Sequence, residues 1–369
     1  MICSHRFVRA IILSFALTLV HSTATPAQEL VYAITSSVFP PQFASPSAIT
    51  SFTVPIALEN PTVTPVATLA VTAASGMILG PDGFLYVSSR NTNEILRVNT
   101  TSGATTAYAN LTPGTTGGPT VAPAGLAFVG NTLYVSRFVG LQAAPDSGAL
   151  DRYTFTSTGN VPGSPVYAST VVSNQTQPAG ITVAPVGSPF AGSLFISSVG
   201  YSNFGNGSGG TPGQVTRYDP STGISSVFIA NATTPEGNAA GTNLFSASAA
   251  KFGPDGFLYV VDTIGNTVRK YDSVTGAFLS NFITAQLDFP SDIVFDSTGK
   301  AWVANLGNEQ VGRAGSINRY DLNGAYIDTV ANSGYYAQLA IQPIPEPASI
   351  LGICALAGVA LRLRKRRSK

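Results

Sequence analysis

The chain has 369 residues, 10% of them charged and 44% hydrophobic, with 37 glycines, 25 prolines, 14 tyrosines and 20 phenylalanines. Its formal charge of +1 hides an uneven distribution: residues 28–344 carry 11 Lys and Arg against 17 Asp and Glu, a net −6, and the other cations sit at the two ends. Such a body lacks the clustered positive charge of a nucleic-acid binder. Its lack of Cys and His, which occur only as Cys3, Cys354, His5 and His21, excludes disulfides, thiolate nucleophiles, histidine-ligated zinc and histidine-dependent acid–base catalysis there.

Met1–Ala27 comes first. Arg6 and Arg9 precede an apolar run, Ala10–Val20, which is short for a membrane span and is followed by polar residues. That plan predicts a helical secretory signal peptide cut after Ala24 or Ala27, and hence an exported body. The alternative is a buried N-terminal helix. The body is expected over 28–342, about 315 residues, enough for one large domain.

Leu30–Ile34, Ile49–Val54 and Val66–Val71 predict the second, third and fourth strands of a four-stranded unit whose first strand is missing. The next stretch, Leu79–Val87 (LGPDGFLYV), returns almost unchanged at Phe252–Val260 (FGPDGFLYV). In each, an apolar strand runs into Pro-Asp-Gly and comes back as an alternating strand, which predicts a hairpin. Degraded copies lie at Gly125–Val135, Ile181–Ile196 and Ile293–Val303, each followed by a third strand of the type IxRYDxxTG. The aromatic anchors Tyr86, Tyr134, Phe195, Tyr259 and Trp302 are 48, 61, 64 and 43 residues apart. Short strands repeating at such periods predict an all-β chain forming a single β-propeller, with insertions where the spacing widens. One alternating strand, Tyr336–Gln342, is left over at the far end and supplies the missing first strand, giving five internal blades and one composite blade. Seven blades would need another hidden in an insertion. A closed ring has no free sheet edge, so a monomer is expected.

Three insertions stand out: Phe138–Ser147, which contains Asp146; the glycine-dense Gly200–Gly213; and Leu306–Gly315. The second has the composition either to wrap a ligand with backbone carbonyls or to form a plain exposed loop. Arg97, Arg152, Arg217, Arg269 and Arg319 recur on third strands, with Asp219, Asp272 and Asp321 at their ends, and repetition in blade after blade points to structure. Arg90, Asn93, Arg137, Asp262, Asn266 and Asn305 follow second strands without such symmetry and are the candidate channel residues. Oxygen donors of this kind suit calcium, although no contiguous calcium loop is present. No catalytic residue is assigned.

The GPDGFLYV and IxRYDxxTG units, over most of residues 76–330, resemble the NHL and streptogramin-lyase-like propellers, and also the six-bladed calcium-dependent lactonases. The lyase resemblance implies a catalytic histidine, which the body lacks. The lactonase resemblance implies acidic residues around calcium. At the tail, Pro343–Ser349 (PIPEPAS), the apolar run Ala348–Leu361 and the basic Arg362–Lys369 are similar to a PEP-CTERM sorting signal. Pro345, Glu346 and Pro347 match its namesake motif, and Arg366 and Arg367 its basic end. This resemblance implies a short hydrophobic helix over part of residues 343–369, transient anchoring in the inner membrane, processing by an exosortase and delivery to the cell surface or an extracellular matrix. The resulting expectation is an exported propeller serving as a binding or structural module for a glycan, small molecule or protein, with the balance against an enzyme. The alternative is a calcium-assisted, lactonase-like hydrolase with its site in the central channel.

Overall fold

Alternating strands and tight turns account for the regular structure of the described residues. The computed structural model describes residues 28–36, 47–55, 62–69, 73–111, 122–139, 148–201, 211–230, 244–308 and 312–343. The expected leader, the sorting tail and most of the Phe138–Ser147 and Gly200–Gly213 insertions lie outside them. In chain order the strands are β1 (Gln28–Ser36), β2 (Ser47–Pro55) and β3 (Thr62–Leu69), then β4 (Ala74–Leu79), β5 (Leu85–Ser89), β6 (Glu94–Val98) and β7 (Thr105–Asn110). Next come β8 (Pro123–Val129), β9 (Thr132–Arg137), β10 (Gly148–Thr154), the short β11 (Ser157–Thr158) and β12 (Val161–Pro162), and β13 (Val166–Gln175). They are followed by β14 (Pro178–Val183), β15 (Leu194–Tyr201), β16 (Thr211–Asp219) and β17 (Ile224–Ile229), then β18 (Ala247–Phe252), β19 (Leu258–Asp262), β20 (Thr267–Tyr271) and β21 (Phe278–Ile283). The last are β22 (Pro290–Phe295), β23 (Ala301–Asn305), β24 (Gly315–Tyr320) and β25 (Tyr326–Pro343).

β4–β7, β14–β17 and β18–β21 each form a four-stranded antiparallel sheet in sequence order, and β8, β9, β10 and β13 form another around the small β11–β12 hairpin. The remaining strands make one seven-stranded sheet, β22-β23-β24-β25-β1-β2-β3. Its hinge is β25, whose first half pairs with β24, from Tyr326 to Gly334, and whose second half pairs with β1, from Tyr335 to Pro343. The chain is thus an all-β fold of the β-propeller kind in which the two ends of the body share a sheet.

Pro-Asp-Gly does more than turn the chain. Gly83 and Gly256 take positive φ values of 79° and 80°, a conformation glycine adopts without a Cβ penalty. The aspartate between Pro and Gly then reaches back to its own sheet: Asp82 accepts from Tyr86 Oη at 3.0 Å and Arg97 Nε at 2.8 Å, and Asp255 from Tyr259 Oη at 2.8 Å and Lys270 Nζ at 2.7 Å. Burial opposes ionisation of Asp255, but the Lys270, Tyr259 and Phe257 N–H donors outweigh it and hold the carboxyl below its ordinary value.

The core lies between successive sheets. Tyr86 and Ile95 pack with Leu126, Leu133 and Tyr153 of the next sheet; Phe195 and Val215 with Leu258 and Tyr271; Val261 and Val268 with Ile293 and Tyr320. Trp302 and Ile317 meet Val31 and Phe52, while Tyr32 and Ile49 meet Met77, Leu85 and Val98, so the packing returns to the first sheet. Burying an anchor such as Trp302, which is fully buried, removes roughly 150–250 Å² from water, a gross gain of roughly 4–6 kcal/mol.

Hydroxyls stitch each sheet to the inner strand of the next: Ser88 Oγ donates to Ala124 O at 2.6 Å, Ser197 Oγ to Ser248 O at 3.1 Å and Ser291 Oγ to Tyr336 O at 2.9 Å. Glycine permits this approach. A Cβ on Gly76 would stand 1.9 Å from Ala124 O, so Gly76→Ala must push two inner strands apart. We expect a loss of about 1–3 kcal/mol, read as a lowered urea midpoint at unchanged slope. An unchanged midpoint would mean that the strands do not approach so closely.

Candidate functional site

The repeated third-strand cations are structural, and register decides which they are. Arg97, Arg152, Arg217 and Arg319 stand opposite Tyr86, Tyr134, Phe195 and Trp302. In β20 the residue opposite Tyr259 is Lys270, whereas Arg269 stands opposite Val260. Arg269 therefore does not belong with the other four: a shift of one residue puts it on the other face of its sheet. Four members of the true set lie over aromatic rings, with Arg97 3.4 Å from the centre of Phe84, Arg217 4.0 Å from Phe190, Lys270 4.2 Å from Phe257 and Arg319 5.3 Å from Trp302. Arg319 also pairs with Asp328 of β25. Asp219, Asp272 and Asp321 accept backbone N–H groups within their turns.

The six candidate channel residues lie at the opposite end of the strands from the Pro-Asp-Gly turns, and local bonds engage each of them. Asn93 and Asn266 occupy equivalent turns with φ of 54° and 46°, and their Oδ1 atoms accept from Ala122 N and Phe289 N at 2.8 and 2.7 Å, tying each sheet to the next. Arg90 lies 3.7 Å over the Phe138 ring; burial pushes its guanidinium down to about 9, so it stays charged at neutral pH. Arg137 Nη2 donates to the fully buried Asp151 at 3.1 Å. Asn305 accepts from Asp288 N and donates to Ser316 Oγ. Asp262, also fully buried, accepts from Phe245 N, Ser246 N, Gly265 N and Arg269 Nε, all at 3.0–3.1 Å.

This donor set does not fit calcium. Two of the six are cations, the single carboxylate among them is filled by four N–H donors, and among the described residues no three acidic, histidine or cysteine side chains converge on one point.

Two other charged residues face the axis, Lys251 of β18 and Asp292 of β22. With Gln338 and apolar neighbours they line a small inner cavity of about 30 Å³, room for about one water. Asp292 is fully buried, and its two oxygens accept from Ile293 N and Leu339 N at 2.9 Å each. Burial pushes this carboxyl above its ordinary value, against the opposing pull of Lys251 and the two N–H donors. Where the channel opens, on the side of the Pro-Asp-Gly turns, a cup of about 380 Å³ is lined by Leu79, Val183, Phe252, Phe295, Leu339 and Ile341 among others. Lys251 is the one charged residue in that lining, and its electrostatic partner is Asp292, across the inner cavity. The residues at its level in the other inner strands, opposite the aromatic anchors, are Ile78, Ala127, Thr182, Val294 and, opposite Tyr32, Ala340. All are neutral, so Lys251 breaks the symmetry of the ring.

No protein-family model matches the chain, and no curated protein does. Solved structures do. A chain of a nidogen/laminin complex aligns with a TM-score of 0.56 at 13% identity, over 85% of this chain and 98% of that one. At that identity the likeness establishes the fold alone, a β-propeller. A candidate gluconolactonase aligns with a TM-score of 0.49 at 15% identity over 72% and 80% of the two chains, and a catalytically inactive virginiamycin B lyase from Staphylococcus aureus, solved with quinupristin, with 0.46 at 14% over 85% of each.

These matches correct one expectation. The balance against an enzyme is withdrawn, because structures resembling this chain include proteins named as a lactonase and a lyase. Sequence reasoning also passed over Lys251 and Asp292. The signal for Lys251 was present: in the two near-identical hairpin units, the residue before Leu79 is Ile78 and the residue before Phe252 is Lys251.

Proposed function

We propose that the protein is an exported six-bladed propeller that takes a small molecule at the open mouth of its axial channel. Lys251 carries this reading: the one cation of a mostly apolar cup, at a level where the other inner strands are neutral, is the asymmetry a ligand site introduces into a repeat. The blade count rests on taking β25 as the outer strand of one blade and the inner strand of the next, so that β25, β1, β2 and β3 form the sixth. Export, exosortase processing and delivery to the surface or matrix rest on the pattern of the leader and of Pro345, Glu346, Pro347, Arg366 and Arg367. We take the exported form to be monomeric.

Hydrolysis in the same channel is a second reading, and Asp292 is the observation that favours it. A buried carboxyl held above its ordinary value next to a water-sized cavity is suited to general acid–base work without histidine. A thermal-shift screen of small molecules against the full chain and its Val183→Trp variant tests the site. Compounds that raise the melting temperature of the first and not of the second are expected, since indole fills the cup. Hits that stabilise both equally, or no hits, would remove the site; turnover of a hit, lost in Asp292→Asn, would establish the hydrolytic reading.

A further inference from the structure

We infer that the ligand is an amphiphilic anion, an alkyl chain bearing a carboxylate or similar head, held with its head at Lys251 and its tail in the cup. The inference rests on the channel-mouth reading and adds the ligand's chemistry to it. The cup supplies two things and little else: apolar surface from Leu79, Val183, Phe252, Phe295 and Ile341, and the single ammonium of Lys251. Thr182 is the other polar side chain of the lining. A half-buried ammonium among apolar residues is poorly solvated, and an anionic head in the cup provides a direct salt-bridge partner, where Asp292 across the inner cavity supplies attraction alone. A neutral ligand leaves that cation without such a partner, and a cationic one repels it.

Asp292 does not compete for this role. It lines the inner cavity and not the cup, its oxygens accept from the backbone N–H groups of Ile293 and Leu339, and it attracts Lys251 without forming a salt bridge to it. Lys251 lines both spaces, so its side chain marks the boundary between the channel interior and the mouth. An anion entering from the mouth therefore meets the cation first. The apolar wall then holds the tail against Leu79, Val183, Phe252, Phe295 and Ile341.

Decanoate, decan-1-ol and decylammonium share a tail and differ in the head, and calorimetric titration of the purified full chain below their micelle concentrations compares them directly. Decanoate should bind, decan-1-ol should bind about tenfold more weakly, as expected for loss of one charge-assisted contact, and decylammonium more weakly still. Lys251→Met should bring decanoate down to the level of decan-1-ol, and Lys251→Arg should keep the preference for the anion. Equal binding of decanoate and decan-1-ol to the native chain would overturn the anion inference and leave the channel-mouth site standing. Decanoate affinity unchanged in Lys251→Met would also overturn it, by placing the anion elsewhere. Absence of binding by all three would count against the anion inference, and whether the site itself falls is then read from the Val183→Trp screen.

Discussion

A chain ending at Ser333 should lose its cooperative unfolding transition, because among the described residues the strand pairing between β1 and the β24 side of the seven-stranded sheet runs through the ten residues from Gly334 to Pro343. Removing them strips Tyr336, Ala337, Leu339 and Ala340 from the core, all at most 7% exposed. It also takes away one of the two acceptors near Ser291 Oγ, leaving Ala304 O, together with the Leu339 N–H that Asp292 binds and the Gln342 partner of Tyr32 Oη. Asp292 would then be buried with one of its two donors gone. The edge of β1 would be left open to pair with another chain. Circular dichroism melts and light scattering are the measurements: the truncated chain should melt broadly and self-associate, whereas one that melts as sharply as the full chain and stays monomeric would show that β25 is not what closes the ring.

That closing strand was legible because strand alternation is a local property, and Tyr336–Gln342 alternates with no partner nearby in sequence. The hairpins were legible for a similar reason, since Pro-Asp-Gly fixes a turn through its own dihedrals. What a turn motif cannot show is where its side chains go afterwards. Asp82 and Asp255 read as turn residues and are that, but each also binds the anchor tyrosine and the third-strand cation across the sheet. Register was the other blind spot. Arg269 and Lys270 are adjacent in sequence and both basic, and cross-strand pairing alone tells which of them faces the aromatic anchor. The same applies to the channel. Every inner strand shows a register break near its start, as between Ala247 and Ala249 or Pro290 and Asp292, and in the inner half of β25 between Tyr336 and Leu339, opposite Thr35 and Ala33. Levels around the axis therefore cannot be counted from one end of a strand. Lys251 becomes exceptional only when it is set beside Thr182, Val294 and Ala340.

The opposite end of the strands carries a different device, an ion pair that two sheets build with reversed polarity. Counted from the anchors Tyr134 and Tyr259, Arg137 and Asp262 occupy the same place at the end of the second strand. Asp151 and Arg269 likewise share a place on the third, opposite Val135 and Val260. One sheet has Arg then Asp, the other Asp then Arg, so the position demands a pair and not a particular charge. The two pairs differ in burial. The Arg269 and Asp262 side chains are 2% and 0% exposed, whereas the Arg137 side chain is 18% exposed over a fully buried Asp151. Asp262→Ala should therefore be among the costliest single changes in the body, about 3–5 kcal/mol, since it removes the carboxylate that neutralises the buried Arg269. It also leaves the N–H groups of Phe245, Ser246 and Gly265 without their acceptor. Arg269→Met should cost less, because Asp262 keeps those three donors. Arg137→Met should also cost less than Asp262→Ala, because Asp151 keeps the Thr170 Oγ1 donor at 2.6 Å. In a double-mutant cycle by urea unfolding, Asp262→Ala with Arg269→Met should cost well below the sum of the single losses. The pair lies at the far end of the strands from the Lys251 cup, so folded Arg269→Met protein should bind decanoate as the native chain does. Additive losses would dissolve the pair as an energetic unit, and a weakened decanoate response in a variant that still melts cooperatively would move the site away from the channel mouth.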